Sequence, residues 1–195
     1  MLQTNPRKTS LYKQNSKPEM TTIKNELIGT WTLLSYIEIP TNGADSLFPM
    51  GKSPVGTIMY GADGYMSVQI SNPSRQKFSS NDRYVANAEE MEACVKGFIA
   101  FSGSYHIDNK QAILRYHINN SSYPNWEGEI QERKVDFEGD ILYLKSVEPI
   151  LSGGFYVHSY MTWRRIEKHE LISRRDRFLE INANKQKYTS LEDFD

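Results

Sequence analysis

His117, Arg115 and Arg133 are the side chains of this chain best suited to moving a proton or holding an anionic oxygen, and each falls on a segment that alternates apolar with polar residues. An imidazole titrates near neutral pH, and a guanidinium taken out of water needs a hydrogen-bonding or anionic partner, for which a ligand carboxylate or enolate would serve. Around these three stands a polar and aromatic set: Tyr60, Tyr65, Ser67, Tyr105, Tyr116, Trp126, His158 and Tyr160. Such groups can fix the polar end of a small apolar molecule. They can also supply the single acid or base that a cofactor-free cyclisation or isomerisation needs. Other chemistries lack their signatures: there is no G-x-S-x-G, Walker A, H-E-x-x-H or Rossmann glycine pattern. The histidines His106, His117, His158 and His169 have no local metal spacing, so neither a metal nor a cofactor is expected.

The elements that would position these residues are strands. From Ile28 onward the hydrophobic period is two, and Trp31, Leu33, Ser35 and Ile37 are expected to face away from Thr32, Leu34, Tyr36 and Glu38. "VGTIMY" and "YMSVQIS" flank "GADG" as a hairpin with a four-residue turn. If Tyr60 pairs with Tyr65, then Val55, Thr57 and Met59 share a face with Met66, Val68 and Ile70. "FIAFSGSYHI" and "AILRYHIN" form a second hairpin about Asn109-Lys110. It places Phe101, Tyr105, Leu114, Tyr116 and Ile118 on one face and Ser102, Ser104, His106, Arg115 and His117 on the other. "EGEIQERKVDF" and "DILYLKSV" form a third about Glu138-Gly139. Its register puts Glu132 opposite Lys145 in solvent and turns Gln131, Arg133, Val135, Phe137, Leu142 and Leu144 inward. A buried Arg133 would need a partner, either a ligand or Glu129 at the barrel mouth.

The last strand is "YVHSYMTWRRI", Tyr156 to Ile166. About eight antiparallel strands joined by hairpins suit an up-and-down barrel holding one small ligand, with a two-sheet sandwich as the competing architecture. Closure would pair the first strand with the last, antiparallel, so that Trp31 meets Arg164 or Arg165 in a cation–π contact of about 0.5–2 kcal/mol. One internal helix is predicted, N-capped by Asn87 with Glu90 as its capping-box partner. Its stripe of Met91, Cys94, Val95 and Phe98 makes Cys94 a packed hydrophobe and not a nucleophile. Two long loops, carrying Leu47, Phe48 and Met50 in one and Tyr123 and Trp126 in the other, are candidate lids over a cavity.

Composition bounds the rest. The 195 residues suffice for one buried core, 38% hydrophobic and 24% charged residues suit a globular protein, and 12 tyrosines with 3 tryptophans favour strands and lined cavities. A net charge of −1 gives no reason to expect nucleic acid, no apolar run is long enough for membrane insertion, and one cysteine forms no intramolecular disulfide. A cytoplasmic location follows as the default, and a homodimer is compatible with the sequence. Residues 1–25 are polar and expected to be a disordered tail, with Met20 an alternative start; 26–166 form the barrel. Residues 167–195 are an extension in which Leu171, Ile172, Phe178 and Leu179 have helical spacing and Arg174, Arg175 and Arg177 form a solvated basic cluster.

Gly29-Thr30-Trp31 on the first strand with a basic residue, Arg164 or Arg165, on the last resembles the lipocalin signature. More specifically, "LIGTWTLLSY", "PVGTIMYGADGYMSVQIS", "AFSGSYHI", "YPNWEGEIQER" and "MTWRR" resemble the lipocalin-like domain family of bacterial and fungal proteins, over roughly Glu26 to Ile166. The resemblance implies an all-β, eight-stranded calycin-type barrel with an apolar-lined cavity, and polyketide-like or terpenoid-like ligands of secondary metabolism. Parity alone leaves open which face looks inward on every strand. With apolar faces inward, Arg115 and His117 are surface residues; with the polar faces of the central hairpins inward, they join the lumen. Three readings follow: a binding module for a small apolar molecule, a cofactor-free cyclase or isomerase using His117 and Arg133, and an interaction protein acting through a C-terminal helix.

Overall fold

The computed structural model describes residues 22–167. A short helix, α1 (Ile23–Leu27), leads into β1 (Gly29–Pro40), β2 (Val55–Tyr60) and β3 (Tyr65–Ser71); α2 (Ala88–Lys96) follows, then β4 (Phe98–Asp108) and β5 (Ile113–Ser121). The chain continues through β6 (Ile130–Glu138), β7 (Ile141–Ser146), β8 (Ile150–Ser152) and β9 (Phe155–Arg165). All pairings are antiparallel, the order is β1-β2-β3-β4-β5-β6-β7-β9-β8, and β9 also pairs with β1. Eight strands therefore close a barrel, and the short β8 pairs with β9 beyond the end of β7. The C-terminal extension, with its expected helix, and most of the N-terminal tail lie outside the described residues. Among those residues no helix is long and apolar enough to cross a membrane.

The last two predicted hairpins keep their faces while their registers move. Tyr105 lies opposite Tyr116 rather than Leu114, because the turn spans 109–112 with Ala112 at φ 52°. Lys134, not Glu132, faces Lys145 across β6 and β7, and Glu132 instead takes Arg115 as its ion-pair partner at 2.5 Å. A shift of two residues preserves the side-chain alternation, so Arg133, Val135 and Tyr116 remain inside. The first hairpin moves by one. Tyr60 pairs with Met66 because Gly61 N–H bonds Tyr65 O and only 62–64 form the loop, with Gly64 at φ +88°. Ile58 and Tyr60 are thereby joined inside by Met66, Val68 and Ile70, while Met59 and Tyr65 are exposed.

Strand β1 departs from strict alternation. Leu33 pairs with Trp163 and Ser35 with Thr162, so Leu34 is the extra residue of a β-bulge. Trp31 and Leu33 point inward before the bulge; beyond it Tyr36, Glu38 and Pro40 are buried, and Leu34 and Ile39 are exposed. Tyr36 and Glu38, expected opposite Trp31, thus share the lumen with it.

One end of the barrel is plugged. α1 is capped by the Thr22 side chain and drives fully buried Leu27 against the core. Trp31 Nε1–H donates to Leu27 O at 2.9 Å, and the Arg165 guanidinium lies 4.1 Å from the indole centroid. The same guanidinium donates to Ile28 O at 2.9 Å and to Glu26 O. Gly29 is required here: its φ is +136°, and a Cβ would come within 2.8 Å of Arg165 Nη1. Arg164, the other sequence candidate, is exposed.

Helix α2 has the predicted Asn87–Glu90 capping box but does not bury the predicted stripe: Met91 and Val95 are 57% and 71% exposed. Its anchor is polar instead. Buried Glu90 accepts backbone N–H groups of Ser79 and Asn87 at 2.8 and 3.0 Å.

Candidate ligand site at the open end of the barrel

Opposite the plugged end, the strands meet four connections: 41–54, the long segment carrying α2, the 3-10 turn Pro124–Trp126, and the β7–β8 link. They surround a cavity of about 230 Å³ lined by Tyr36, Glu38, Met50, Ile99, Trp126 and Leu151, among others. Met50 is almost fully buried, and Glu38 exchanges backbone hydrogen bonds with Leu47 of the same loop at 2.8 and 2.9 Å. The walls are mainly aromatic and aliphatic, with Lys96, Ser122 and Ser152 also in the lining, and Trp126 meets Tyr123 and Phe101 edge to face at 5.6 and 5.8 Å between centroids. A larger depression of about 400 Å³ lies on the outer wall around Lys134, Tyr143, Lys145 and Tyr160. None of the unpartnered buried polar atoms belongs to its lining.

The bulge of β1 brings Glu38 to this cavity. Glu38 is 2% exposed, and its Oε1 accepts a 2.5 Å hydrogen bond from the Tyr36 hydroxyl. Its Oε2 has no partner among the described residues. Across the sheet Glu38 faces Ser159 on β9; the Ser159 N–H donates to Ser146 Oγ on β7 at 3.1 Å, and Ser146 faces Arg133 on β6. These four buried residues form one lateral row around the lumen. In that row Ser159 Oγ and Arg133 Nε are also unpartnered. Arg133 donates to Glu132 O at 3.0 Å and Gln131 Oε1 at 2.8 Å, and no carboxylate pairs with it among the described residues.

Burial and the neighbouring charges set the protonation of the buried phenols and of Arg133. Burial first, then the Glu38 carboxyl, pushes the Tyr36 phenol far above its ordinary value, with Arg133 pulling the other way. Tyr36 is a neutral donor at every ordinary pH. Tyr60 is likewise held well above its usual value by burial and by Tyr116, whose own phenol burial pushes up to about 12. The two hydroxyls bond each other deep in the barrel, and Tyr105 donates to Gly61 O at 2.7 Å. Burial lowers the Arg133 value, opposed by Tyr116, Tyr36 and Tyr60.

Of the residues singled out from the sequence, the lumen therefore receives Tyr60, Tyr105, Tyr116 and Arg133, and the mouth cavity Trp126. Tyr65, Ser67, Arg115, His117 and Tyr160 lie on the outer face. Tyr65 is 60% exposed, Ser67 bonds Gln69, His117 bonds Asn119, and Tyr160 lies under Lys145. His158 alternates with the inward-facing Val157 and Ser159 on β9, and its Nδ1 lies 3.3 Å from both the carbonyl oxygen and the Oγ of Ser146. Tyr36, Glu38 and Ser159 are absent from the sequence-derived set. The available signal was the adjacent pair Leu33-Leu34, which breaks the alternation where the bulge forms.

A tryptophan roofed by an arginine of the last strand, within an eight-stranded barrel open at its far end, defines a calycin-type protein. The chain belongs to the lipocalin-like domain family, whose family model matches residues 28–166. A protein of Aspergillus oryzae (strain ATCC 42149 / RIB 40), named 4'-hydroxy-3'-methoxypropiophenone carrier protein ppsC, is 30% identical over 109 residues, covering 53% of this chain and 98% of that protein. No solved structure gives a significant match.

Proposed function

We propose that this protein is a binding module that holds a small, single-ring aromatic molecule in the mouth cavity, with a ligand hydroxyl donating to Glu38 Oε2. The observation that carries this reading is that unpartnered, buried carboxyl oxygen on a residue lining a mainly apolar cavity. A buried acceptor without a donor costs about 1–3 kcal/mol, more for a charged group, and a ligand hydroxyl offsets that cost. The cavity, at about 230 Å³, is smaller than the roughly 300–1,000 Å³ of ordinary ligand pockets. That size suits one ring with a short side chain and excludes a long lipid. The carrier name of the Aspergillus relative, an aryl ketone with a free phenol, supports the same ligand class and a place in secondary metabolism.

The test is equilibrium binding of para-hydroxypropiophenone followed by fluorescence of Trp126, the one tryptophan that lines the cavity. Saturable quenching is expected, with propiophenone, which lacks the hydroxyl, binding at least ten times more weakly. Equal affinity for the two compounds, or no saturable change, removes the assignment. The cyclase or isomerase alternative moves with the geometry from His117, on the outer wall, to the lumen row. The interaction reading concerns a segment outside the described residues.

A further inference from the structure

We propose that Glu38 is a general base as well as a hydrogen-bond acceptor, and that the barrel interconverts the keto and enol forms of an aromatic 1,3-dicarbonyl compound held in the mouth cavity. This rests on the cavity being a ligand site. Three features of the lumen row go beyond what binding requires. Tyr36, held neutral, occupies Oε1 and leaves Oε2 as the one free oxygen of the carboxyl group. That oxygen belongs to a residue 2% exposed yet lining the cavity, so water competes little for it. Arg133, on the same row, is turned toward Gln131 and the Glu132 carbonyl and makes no ion pair with Glu38. Pairing the two would offset part of the desolvation cost of each. Kept apart, they leave a base beside the ligand without a countercharge of its own and a positive charge elsewhere on the same row, which favours negative charge developing on the ligand.

The step balances without a cofactor. Glu38 Oε2 takes the proton from the carbon between the two carbonyls. The C–H electron pair forms the carbon–carbon double bond, and one carbonyl π pair moves onto oxygen. The resulting enolate then receives the same proton on that oxygen, which restores the carboxylate and yields the enol; ketonisation is the reverse. An ordinary carboxylate is too weak a base for a simple ketone, and for that reason the substrate class is a carbon acid flanked by two carbonyls. Tyr36 acts as a positioning residue, fixing which oxygen of Glu38 is free.

The probe is benzoylacetone, diluted from an apolar solvent in which it is mostly enol into buffer at about pH 6, with decay of the enol absorbance followed by stopped flow. The full chain is expected to accelerate the relaxation roughly 100-fold, within the usual contribution of a positioned base, and to saturate with probe. Glu38→Gln should abolish the acceleration while Trp126 quenching still reports probe binding. Glu38→Asp, which keeps the charge but withdraws it, should lower the acceleration at least about tenfold. His117→Ala, on the outer wall, should leave it unchanged. Saturable binding without acceleration, or equal acceleration by Glu38→Asp and Glu38→Gln, overturns the base assignment and leaves binding intact. Absence of saturable benzoylacetone binding overturns the base assignment, and the binding reading falls with it only if para-hydroxypropiophenone also fails to bind.

Discussion

At the plugged end of the barrel, Trp31 Nε1 and both terminal nitrogens of Arg165 donate to backbone carbonyls of Leu27, Ile28 and Glu26. Toward the mouth, by contrast, the row of Glu38 Oε2, Ser159 Oγ and Arg133 Nε is buried without partners among the described residues. Among the described residues, only Trp163 Nε1 breaks the pattern from the plugged half. Both regions bury aromatic rings and a guanidinium, so the difference lies in saturation rather than composition. One end uses its polar groups to close the sheet on itself; the other leaves them unsatisfied among the described residues, as the proposed ligand site requires. Natural folds tolerate such unsatisfied groups mainly where function needs them.

Several measurements would break or sharpen that contrast. The largest effect belongs to the plugged end: Trp31→Ala should cost about 3–5 kcal/mol in urea unfolding, since it removes a fully buried indole together with its cation–π partner's contact. A loss below about 1 kcal/mol would mean that the plug is not structural. Alkaline pH should come next. The folded Tyr116 phenol is raised to about 12 from 10.0, and Tyr36 and Tyr60 are raised too. Between those values the unfolded chain releases protons that the folded chain keeps, so stability is complete below about pH 10 and falls as pH rises above it. Tyr116 alone should contribute on the order of 3 kcal/mol to that fall, to be measured by denaturation at stepped pH.

Gly29→Ala should destabilise by about 1–3 kcal/mol, because the backbone is in a region that L side chains avoid and the added methyl meets Arg165. At the mouth the sign should turn: Glu38→Gln should leave stability unchanged or raise it by about 1 kcal/mol, while binding of the hydroxylated probe weakens at least tenfold. A large loss of stability in that variant would place Glu38 with the structural end. The smallest effects are expected outside. Tyr65→Ala and His117→Ala should each shift stability by no more than about 0.5 kcal/mol and leave binding untouched.

How much of this was legible before folding depended on how local the deciding interaction was. The internal helix and its cap were readable because Asn87 and Glu90 act within one turn. Its packing was not, since Met91 and Val95 have helical spacing but are covered by no neighbour among the described residues. Faces of the second and third hairpins survived errors of two residues in register, whereas the one-residue error in the first exchanged its faces. Arg133 was placed inside from a pairing that does not occur, because the correct pairing has the same parity.

The sequence by itself determined that the chain makes an antiparallel barrel whose first and last strands meet. Period-two patterning, tight turns and one Trp–Arg match are short-range or polarity-driven signals that survive small register errors. Only the tertiary structure decided what stands at the mouth. Whether Glu38 faces the lumen depends on one extra residue at Leu34, and that residue is extra only relative to the strand β9 pairs against it. A pattern read along one chain carries no count of the residues on its partner.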